Sequence, residues 1–186
     1  MPNKLLTDAL DLISTKTVED DLRLGTSFPY ITDPDGRWLA MPASVSAGYS
    51  SSGWTHGNWF CGFWIGLLLV GYLHTKEKRF LDLAIERMRL IGPRATDPNT
   101  HDIGFIFWSS AVPAHRICGE KWIADLALVA ADHLRRRLVP TRRGAYIAAW
   151  GPLDDIHTLA AVPPLIQWLT SLSFTGRQNR RRTEAF

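Results

Sequence analysis

Apolar residues in this chain recur mainly at the spacing of α-helices and seldom at the alternating spacing of β-strands. A first amphipathic helix is predicted by the helical spacing of Leu5, Leu6, Ala9, Leu12 and Ile13. Later segments come in pairs, in which one segment is apolar on nearly every side and the next has a polar face. These segments cover residues 59–73, 80–91, 102–117, 123–138 and, as a last apolar segment, 159–172.

The second segment of the first pair places its charged residues on one predicted polar face, formed by Arg79, Asp82, Glu86, Arg87 and Arg89. In segment 102–117 we predict a kink at Pro113, because proline interrupts the helical hydrogen bonds. Residues 25–53 lack the helical pattern and are rich in proline, glycine and serine, so they are predicted to form a long loop.

A short internal repeat supports the pairing of helices. Residues 76–84 match residues 119–127 at a fixed offset, and Thr175-Gly176 begins a third copy that is not completed. Repeated hairpins, each with one buried and one half-exposed helix, predict two concentric layers of helices. We therefore predict an all-α fold with the architecture of an α/α toroid, present as roughly the first half of the ring.

Composition limits the classes of function. The chain has 186 residues with 46% hydrophobic residues, which fits one globular domain. Its formal charge of +3 comes from an arginine-rich end, and the rest of the chain is neutral, so no basic face for nucleic acid is predicted. Residues 57–73 lack charge, but Asn58 and the glycines favour a buried helix over a membrane span. We predict a cytoplasmic protein with no membrane or nucleic-acid partner.

Two cysteines, Cys61 and Cys118, lie far apart in apolar surroundings and are predicted to be buried thiols. The histidines lack the i, i+4 pairing of a helical zinc site, and no phosphate-binding glycine-rich loop is present. No metal and no cofactor are therefore predicted. His74, His115 and His133 are interpreted as surface or helix-end residues.

The run at residues 101–105 carries the strongest chemical signal. Asp102 follows His101 and opens an apolar segment that also contains Trp108. A carboxylate with little hydration can hold a proton near neutral pH and donate it. The alternative is that Asp102 only caps the helix, since Asp is a preferred N-cap residue. Taken alone the run favours capping, and the residues that accompany it favour the catalytic interpretation.

The predicted ends of the buried helices bring further candidates toward a central cavity: Trp59, His101, Asp102, Trp150, Asp154, Asp155 and His157. Aromatic rings bind the apolar faces of sugars, one acid can protonate, and a base can activate water. This combination is typical of a site that cleaves sugars.

Five stretches, in order along the chain, resemble the unsaturated glucuronyl hydrolases, bacterial glycoside hydrolases that act on oligosaccharides left by polysaccharide lyases. The stretches are Phe28-Pro29-Tyr30, residues 59–66, 101–105 and 144–152, and the segment with Pro163, Leu165 and Trp168. The resemblance implies a six-hairpin α/α toroid. It also implies hydration of the C4–C5 double bond of a terminal unsaturated uronic acid, after which the product collapses and releases the remaining sugar.

The resemblance places Asp102 on one of the family's two important aspartates and implies substrate binding by Trp59, Trp150 and His101. The family's second aspartate, its general acid/base, aligns with His157, and the loop before it is shorter here than usual. Histidine transfers protons but is cationic when protonated and differs from aspartate in shape. Asp154 or Asp155 offers a substitute carboxylate in that shortened loop.

Family members run to about twice this length, so the resemblance divides the chain into residues 1–176, a partial toroid domain, and 177–186, a basic tail. The abrupt change in composition at the tail suggests a frameshift. We expect an unsaturated uronyl oligosaccharide as substrate, weak or absent activity, and self-association through the exposed half-ring. The alternatives are a non-catalytic remnant, a subunit that completes the ring, a carbohydrate-binding module, and another toroid chemistry such as a lyase.

Overall fold

The computed structural model describes residues 4–50, 53–142 and 144–151. Within these ranges lie six α-helices: α1 (Lys4–Leu24), α2 (Cys61–Thr75), α3 (Lys78–Ile91), α4 (Ile103–Ser109), α5 (Ala111–Cys118) and α6 (Lys121–Arg136). A short 3-10 helix, Gly92–Thr96, follows α3. The predicted apolar segment 159–172 and the tail 177–186 lie outside the described residues.

The predicted pairing of helices is confirmed. α2 packs against α3, and α5 packs against α6, while α2 and α6 both contact α4. The buried positions of α3 follow the helical period, as Phe80, Ala84, Met88 and Ile91. One predicted position is wrong: Arg87, assigned to the polar face, is buried, because α1 supplies it with a carboxylate partner.

Three small hairpins accompany the helices, and the all-α prediction did not include them. Antiparallel pairs join β1 (Ser27–Thr32) to β2 (Trp38–Pro42), β3 (Gly48–Ser50) to β4 (Gly53–Thr55), and β5 (Leu138–Thr141) to β6 (Gly144–Ile147). Part of the predicted long loop at 25–53 is therefore ordered as strands. Aromatic and β-branched residues on β1 favour this conformation, and a turn with a hydrogen bond from Gly36 N to Asp33 O (2.9 Å) closes the first hairpin.

The predicted segment 102–117 is divided into two helices. The break lies at Ser110, with φ −117° and ψ −77°, rather than at Pro113. Pro113 sits in the first turn of α5, where its missing N–H leaves no hydrogen bond unmade. The Ser110 hydroxyl donates to Ile106 O at 2.5 Å and so bonds the preceding helix. The segment is therefore interrupted at Ser110, three residues before the proline, and Pro113 lies within the second helix.

Helix α1 is present as predicted, but its apolar face is not the buried one. The buried residues are Ser14, Thr17, Val18 and Asp21. Asp21 accepts a hydrogen bond from Trp64 Nε1 (2.8 Å) and forms an ion pair with Arg87 Nε (2.8 Å). These polar contacts orient the helix, so its apolar side chains stay exposed: Leu5 at 75%, Leu6 at 58%, Leu12 at 57% and Ile13 at 39%.

A glycine sets the close contact between α2 and α4. A Cβ at Gly62 would lie 2.2 Å from Ile106 O, well inside van der Waals contact, so no larger residue fits without moving a helix. This contact brings α4 against the most buried face of α2. Among the described helices, none combines the length and apolar character needed to span a membrane.

The sequence repeat corresponds to a repeated turn. Lys76 (φ 62°) and Gly119 (φ 73°) both adopt the left-handed conformation, and each N–H donates to the carbonyl four residues earlier at 2.8 Å. In each copy the glutamate that follows, Glu77 or Glu120, directly precedes the next helix. The repeat therefore encodes the connection between the two helices of a hairpin.

The Lys76→Gly substitution should raise the free energy of unfolding by about 0.5–1 kcal/mol, because glycine adopts the left-handed conformation without the penalty that Lys76 bears. Gly119→Lys is the reciprocal control. A Cβ there meets no atom within 4 Å, so the conformational penalty alone should lower stability by about 1 kcal/mol. Urea unfolding measures both, and an unchanged or lower stability for Lys76→Gly contradicts this account.

Candidate functional site

Two chain segments meet in antiparallel fashion beside the start of α4. Thr100 and Trp150 form an isolated β-bridge. On either side of it, His101 N donates to Ala149 O (2.9 Å) and Gly151 N donates to Asn99 O (2.8 Å). Residues that are about fifty positions apart in sequence are thereby held against each other. The side chain of Asp102 and the indole of Trp150 consequently meet.

Asp102 is buried, with 5% of its surface exposed, and its carboxylate is held by side chains. The Thr100 hydroxyl donates to Oδ2 at 3.0 Å, and Trp150 Nε1 donates to the same oxygen at 3.3 Å. Although Asp102 occupies the N-cap position of α4, its side chain makes no capping hydrogen bond. Capping therefore does not account for this aspartate, and the carboxylate is directed toward Trp150 instead.

His101 lies beside the same carboxylate. Its Nε2 is 3.7 Å from Asp102 Oδ1, and its ring packs edge-on against Trp150 with centroids 5.2 Å apart. Burial lowers the pKa of His101 below 6.5, although the neighbouring Asp102 opposes this shift. The imidazole is therefore neutral near pH 7. Its Nδ1 is buried and has no hydrogen-bond partner in the described part of the chain.

Trp150 lies between two histidines. One is His101, and the other is the exposed His56, whose ring centroid is 4.6 Å from that of the indole. The indole thus links the buried carboxylate of Asp102 to a polar ring at the surface. His56 did not stand out in the sequence, because no local motif connects it to either Asp102 or Trp150.

Trp59 belongs to an aromatic cluster of four rings on α2, α4 and the residues preceding α2. Its indole stacks on Phe60 with centroids 3.9 Å apart, so one of its faces is covered. It also contacts Phe63 at 5.7 Å and Phe105 at 5.5 Å. Phe105 lies three residues after Asp102 on α4 and therefore shares its side of the helix.

The structure brings together three of the predicted site residues, Asp102, His101 and Trp150. Trp59 packs instead against Phe60, Phe63 and Phe105. His157, together with Asp154 and Asp155, lies outside the described residues. Thr100 was missed, although a threonine two residues before an aspartate is a common local hydrogen-bonding pattern that could have indicated it.

The prediction of a buried thiol is confirmed for Cys61 and wrong for Cys118, and the interpretation of three histidines as helix-end residues is confirmed. Cys61 is fully buried, and burial raises the pKa of its thiol to about 12, whereas Cys118 is only half-buried. His74, His115 and His133 each lie in the last turn of a helix, which confirms their interpretation. Across residues 4–50, 53–142 and 144–151, no three His, Cys, Asp or Glu side chains are arranged to hold a metal ion.

Two concave regions lie away from Asp102. One, a small apolar cleft of about 10 Å³, lies between α4 and α6, next to Ile103, Phe107 and Ala127. The other, of about 290 Å³, is open to solvent on α6 near Asp132 and His133. Neither is lined by the residues that converge on the carboxylate. The chemistry therefore points to the Asp102 region rather than to these cavities.

No family model matches the chain. It is 30% identical over 98 residues to an unsaturated chondroitin disaccharide hydrolase of Streptococcus agalactiae, covering 51% of this chain and 24% of that relative. It is 28% identical over 138 residues to an unsaturated glucuronyl hydrolase of Bacillus sp. strain GL1, covering 72% of this chain and 32% of the relative. Over part of its length, the chain is similar in sequence to the unsaturated glucuronyl hydrolases.

Solved structures of unsaturated glucuronyl hydrolases share its fold. The enzyme of Bacillus sp. GL1 matches with a TM-score of 0.60 and 24% identity, over 78% of this chain and 36% of that one. An unsaturated glucuronyl hydrolase specific for heparin matches with a TM-score of 0.62 and 22% identity, over 90% and 41%. The helical hairpins are therefore those of an α/α toroid, as predicted. The chain spans about a quarter to a third of the length of the curated relatives it matches.

The lowered pKa of His101 has a consequence for stability. Below pH 6.5 the unfolded chain binds a proton on this residue that the folded chain does not, so the free energy of unfolding should fall as pH falls below 6.5. His133, whose pKa is also lowered by burial, adds to the effect.

His101→Gln should reduce this pH dependence without abolishing it. The measurement is urea unfolding of both proteins at about pH 5.5 and about pH 7.5. The change in the free energy of unfolding between the two pH values is compared for wild type and variant, so any pH-independent effect of the substitution on packing cancels. An equal decline in wild type and variant would show that His101 does not titrate as its burial requires.

Proposed function

We propose that this chain is part of a glycoside hydrolase that releases a terminal 4,5-unsaturated uronic acid from oligosaccharides by hydrating the C4–C5 double bond. The observation that carries the proposal is the buried Asp102 carboxylate, held by the Trp150 indole and the Thr100 hydroxyl beside a neutral His101. Relatives of the chain are named for hydrolysis of unsaturated uronyl sugars. A mutant of the Streptococcus agalactiae enzyme has been crystallised with dGlcA-GalNAc6S.

The proposed reaction is a hydration followed by collapse. A proton adds to C4, water adds to C5, and the resulting hemiketal opens to release the remaining sugar. Asp102 orients the substrate or the water and assists the proton transfer, since its second oxygen, Oδ1, lies on the side of His101. His157 occupies the place of the family's proton donor in this proposal. Trp150 and Trp59 contribute aromatic surface for the sugar ring.

The chain alone should turn over substrate weakly or not at all. The match covers 24–32% of the curated relatives, and groups contributed by the remainder of those proteins lie outside the matched stretch. Histidine in place of an aspartate also changes the shape and charge of the donor. A displacement of about 1 Å at a reacting group already costs about 100-fold in rate.

Activity is tested by the loss of ultraviolet absorbance of the conjugated uronate when an unsaturated disaccharide is added. Turnover should be far below that of a full-length relative assayed beside it. Asp102→Asn should reduce whatever turnover is observed by about 100-fold or more, because a proton-transferring group contributes at least that factor. Turnover equal to the relative's would contradict the expected impairment.

Binding separates the enzymatic proposal from the alternative of a carbohydrate-binding module. Trp150→Phe should weaken binding of the unsaturated disaccharide by up to about tenfold, because it reduces the aromatic surface and removes the donor to Asp102. Trp122→Phe, on α6 beside Arg89, is the matched control and should bind like wild type. A module without chemistry would bind normally after Asp102→Asn and form no product in any variant.

We also propose that the chain associates with a second copy of itself. Support comes from the exposed leucines of α1 and from an exposed apolar stripe on α2, formed by Phe63, Leu67, Val70 and Leu73. Leu6, Leu12 and the four residues of the α2 stripe are each between 36% and 58% exposed. Neighbouring apolar faces of this kind favour association in water.

Size-exclusion chromatography tests this association. The double variant Leu6→Gln/Leu12→Gln should shift the protein toward the monomer while changing its stability by less than about 0.5 kcal/mol, because both side chains are exposed. Val129→Gln, at an exposed position on α6, is the matched control and should elute like wild type. An unaltered elution volume for the double variant would exclude α1 as the contact surface.

A further inference from the structure

One buried arginine joins the two segments that form the site. Arg137 follows the last residue of α6 and is 1% exposed. Its guanidinium donates through Nε to Ala148 O (2.8 Å) and through Nη2 to Ala149 O (2.9 Å) and Gly151 O (3.0 Å). Its Nη1 donates to Pro98 O. One rigid group therefore holds the segment before Asp102 and both neighbours of Trp150.

Two other buried arginines show what is particular about this one. Arg87 and Arg94 are each 3% exposed, and each forms an ion pair at 2.8 Å, with Asp21 and Asp97 respectively. Within the described ranges, no carboxylate lies within ion-pairing distance of Arg137, and its hydrogen-bond acceptors are backbone carbonyls. A buried cation without an ionic partner is costly unless several hydrogen bonds satisfy it.

We infer that Arg137 is a positioning residue, which fixes Trp150 over the Asp102 carboxylate by holding the backbone on both sides of the bridge between their segments. The importance of this role for catalysis rests on the proposed function. The positions of Trp150 and Asp102 can be tested without an activity assay. The planar guanidinium presents its donors in fixed directions, and the ammonium of lysine cannot contact four carbonyls in this arrangement.

The charge of Arg137 also acts on the site. Together with burial, this cation lowers the pKa of His101, while Asp102 raises it. Asp97 and Asp102 in turn raise the pKa of Arg137 against the effect of its own burial. Removal of the cation should consequently raise the pKa of His101. A residue that only stabilised the fold from a distance would not produce this change.

The experiment compares three variants of the whole chain by nuclear magnetic resonance. Arg137→Met removes the donors and the charge, and Arg137→Lys keeps the charge. Arg87→Met is the matched control, because it disrupts a buried arginine whose partners, Asp21 and Ser27, lie outside the site. The readouts are solvent exchange of the Trp150 indole N–H, assigned with Trp150→Phe, and the pH titration of His101, assigned with His101→Gln.

Arg137→Met should speed exchange of the Trp150 indole N–H by about tenfold, the factor expected for loss of one hydrogen bond, and should raise the pKa of His101. Arg137→Lys should speed exchange similarly but keep the pKa of His101 closer to that of wild type. Arg87→Met should change neither signal, even if it lowers the melting temperature as much.

Unchanged Trp150 exchange in both Arg137 variants would overturn the inference, as would an equal change in Arg87→Met. If Arg137→Met does not fold, Arg137→Lys decides the matter through the Trp150 signal. Titration with an unsaturated disaccharide, performed on wild type, keeps the two proposals apart. Absence of binding there contradicts the proposed function, whereas the Trp150 and His101 signals test Arg137 independently.

Discussion

The antiparallel contact between residues 99–101 and 149–151 is the interaction on which the site depends. Its two backbone hydrogen bonds bring a helix start and the end of a hairpin together, although the sequence separates them by about fifty residues. Asp102 owes its partner Trp150 to this contact, and His101 owes it both its burial and its neutral state. Without it, the carboxylate would lose the Trp150 indole and keep, among the described residues, the Thr100 hydroxyl as its side-chain hydrogen-bond donor.

Buried arginines connect the irregular segments to the helical framework. Arg94 donates to the carbonyls of Ala43 and Val45, which lie between the first two hairpins, and of Asn58, which lies just before α2. Arg87 joins α1 to the start of β1, through Asp21 and Ser27. Long loops contain many backbone groups that no helix or strand satisfies, and a guanidinium supplies several donors at once. The hairpins are thereby fixed to the helices by polar contacts as well as by apolar packing.

The sequence predicted the helical part of the fold well, because the apolar residues that are buried on α3 and α6 recur at helical spacing and α2 is apolar throughout. The repeat supported the pairing of helices, and the structure shows that each copy begins at a turn, at Lys76 and at Gly119. The sequence could not show the buried state of Arg87 or Arg137, because each depends on partners far away in the chain. The same limit applies to the site, where Asp102 was recognisable from its local run but its contacts with Trp150 and His101 were not.

The anchoring of α1 bears on how this protein can diverge. Its inward contacts rest on the carboxylate of Asp21, whose two partners require one length and one direction of side chain. Replacement by glutamate or asparagine would misplace or discharge that group and leave Arg87 without an ionic partner in the interior. The outward leucines have no such geometric requirement in the folded chain. The fold itself therefore restricts substitution at Asp21 more than substitution on the outer surface of this helix, where the proposed contact with a second copy is the remaining constraint.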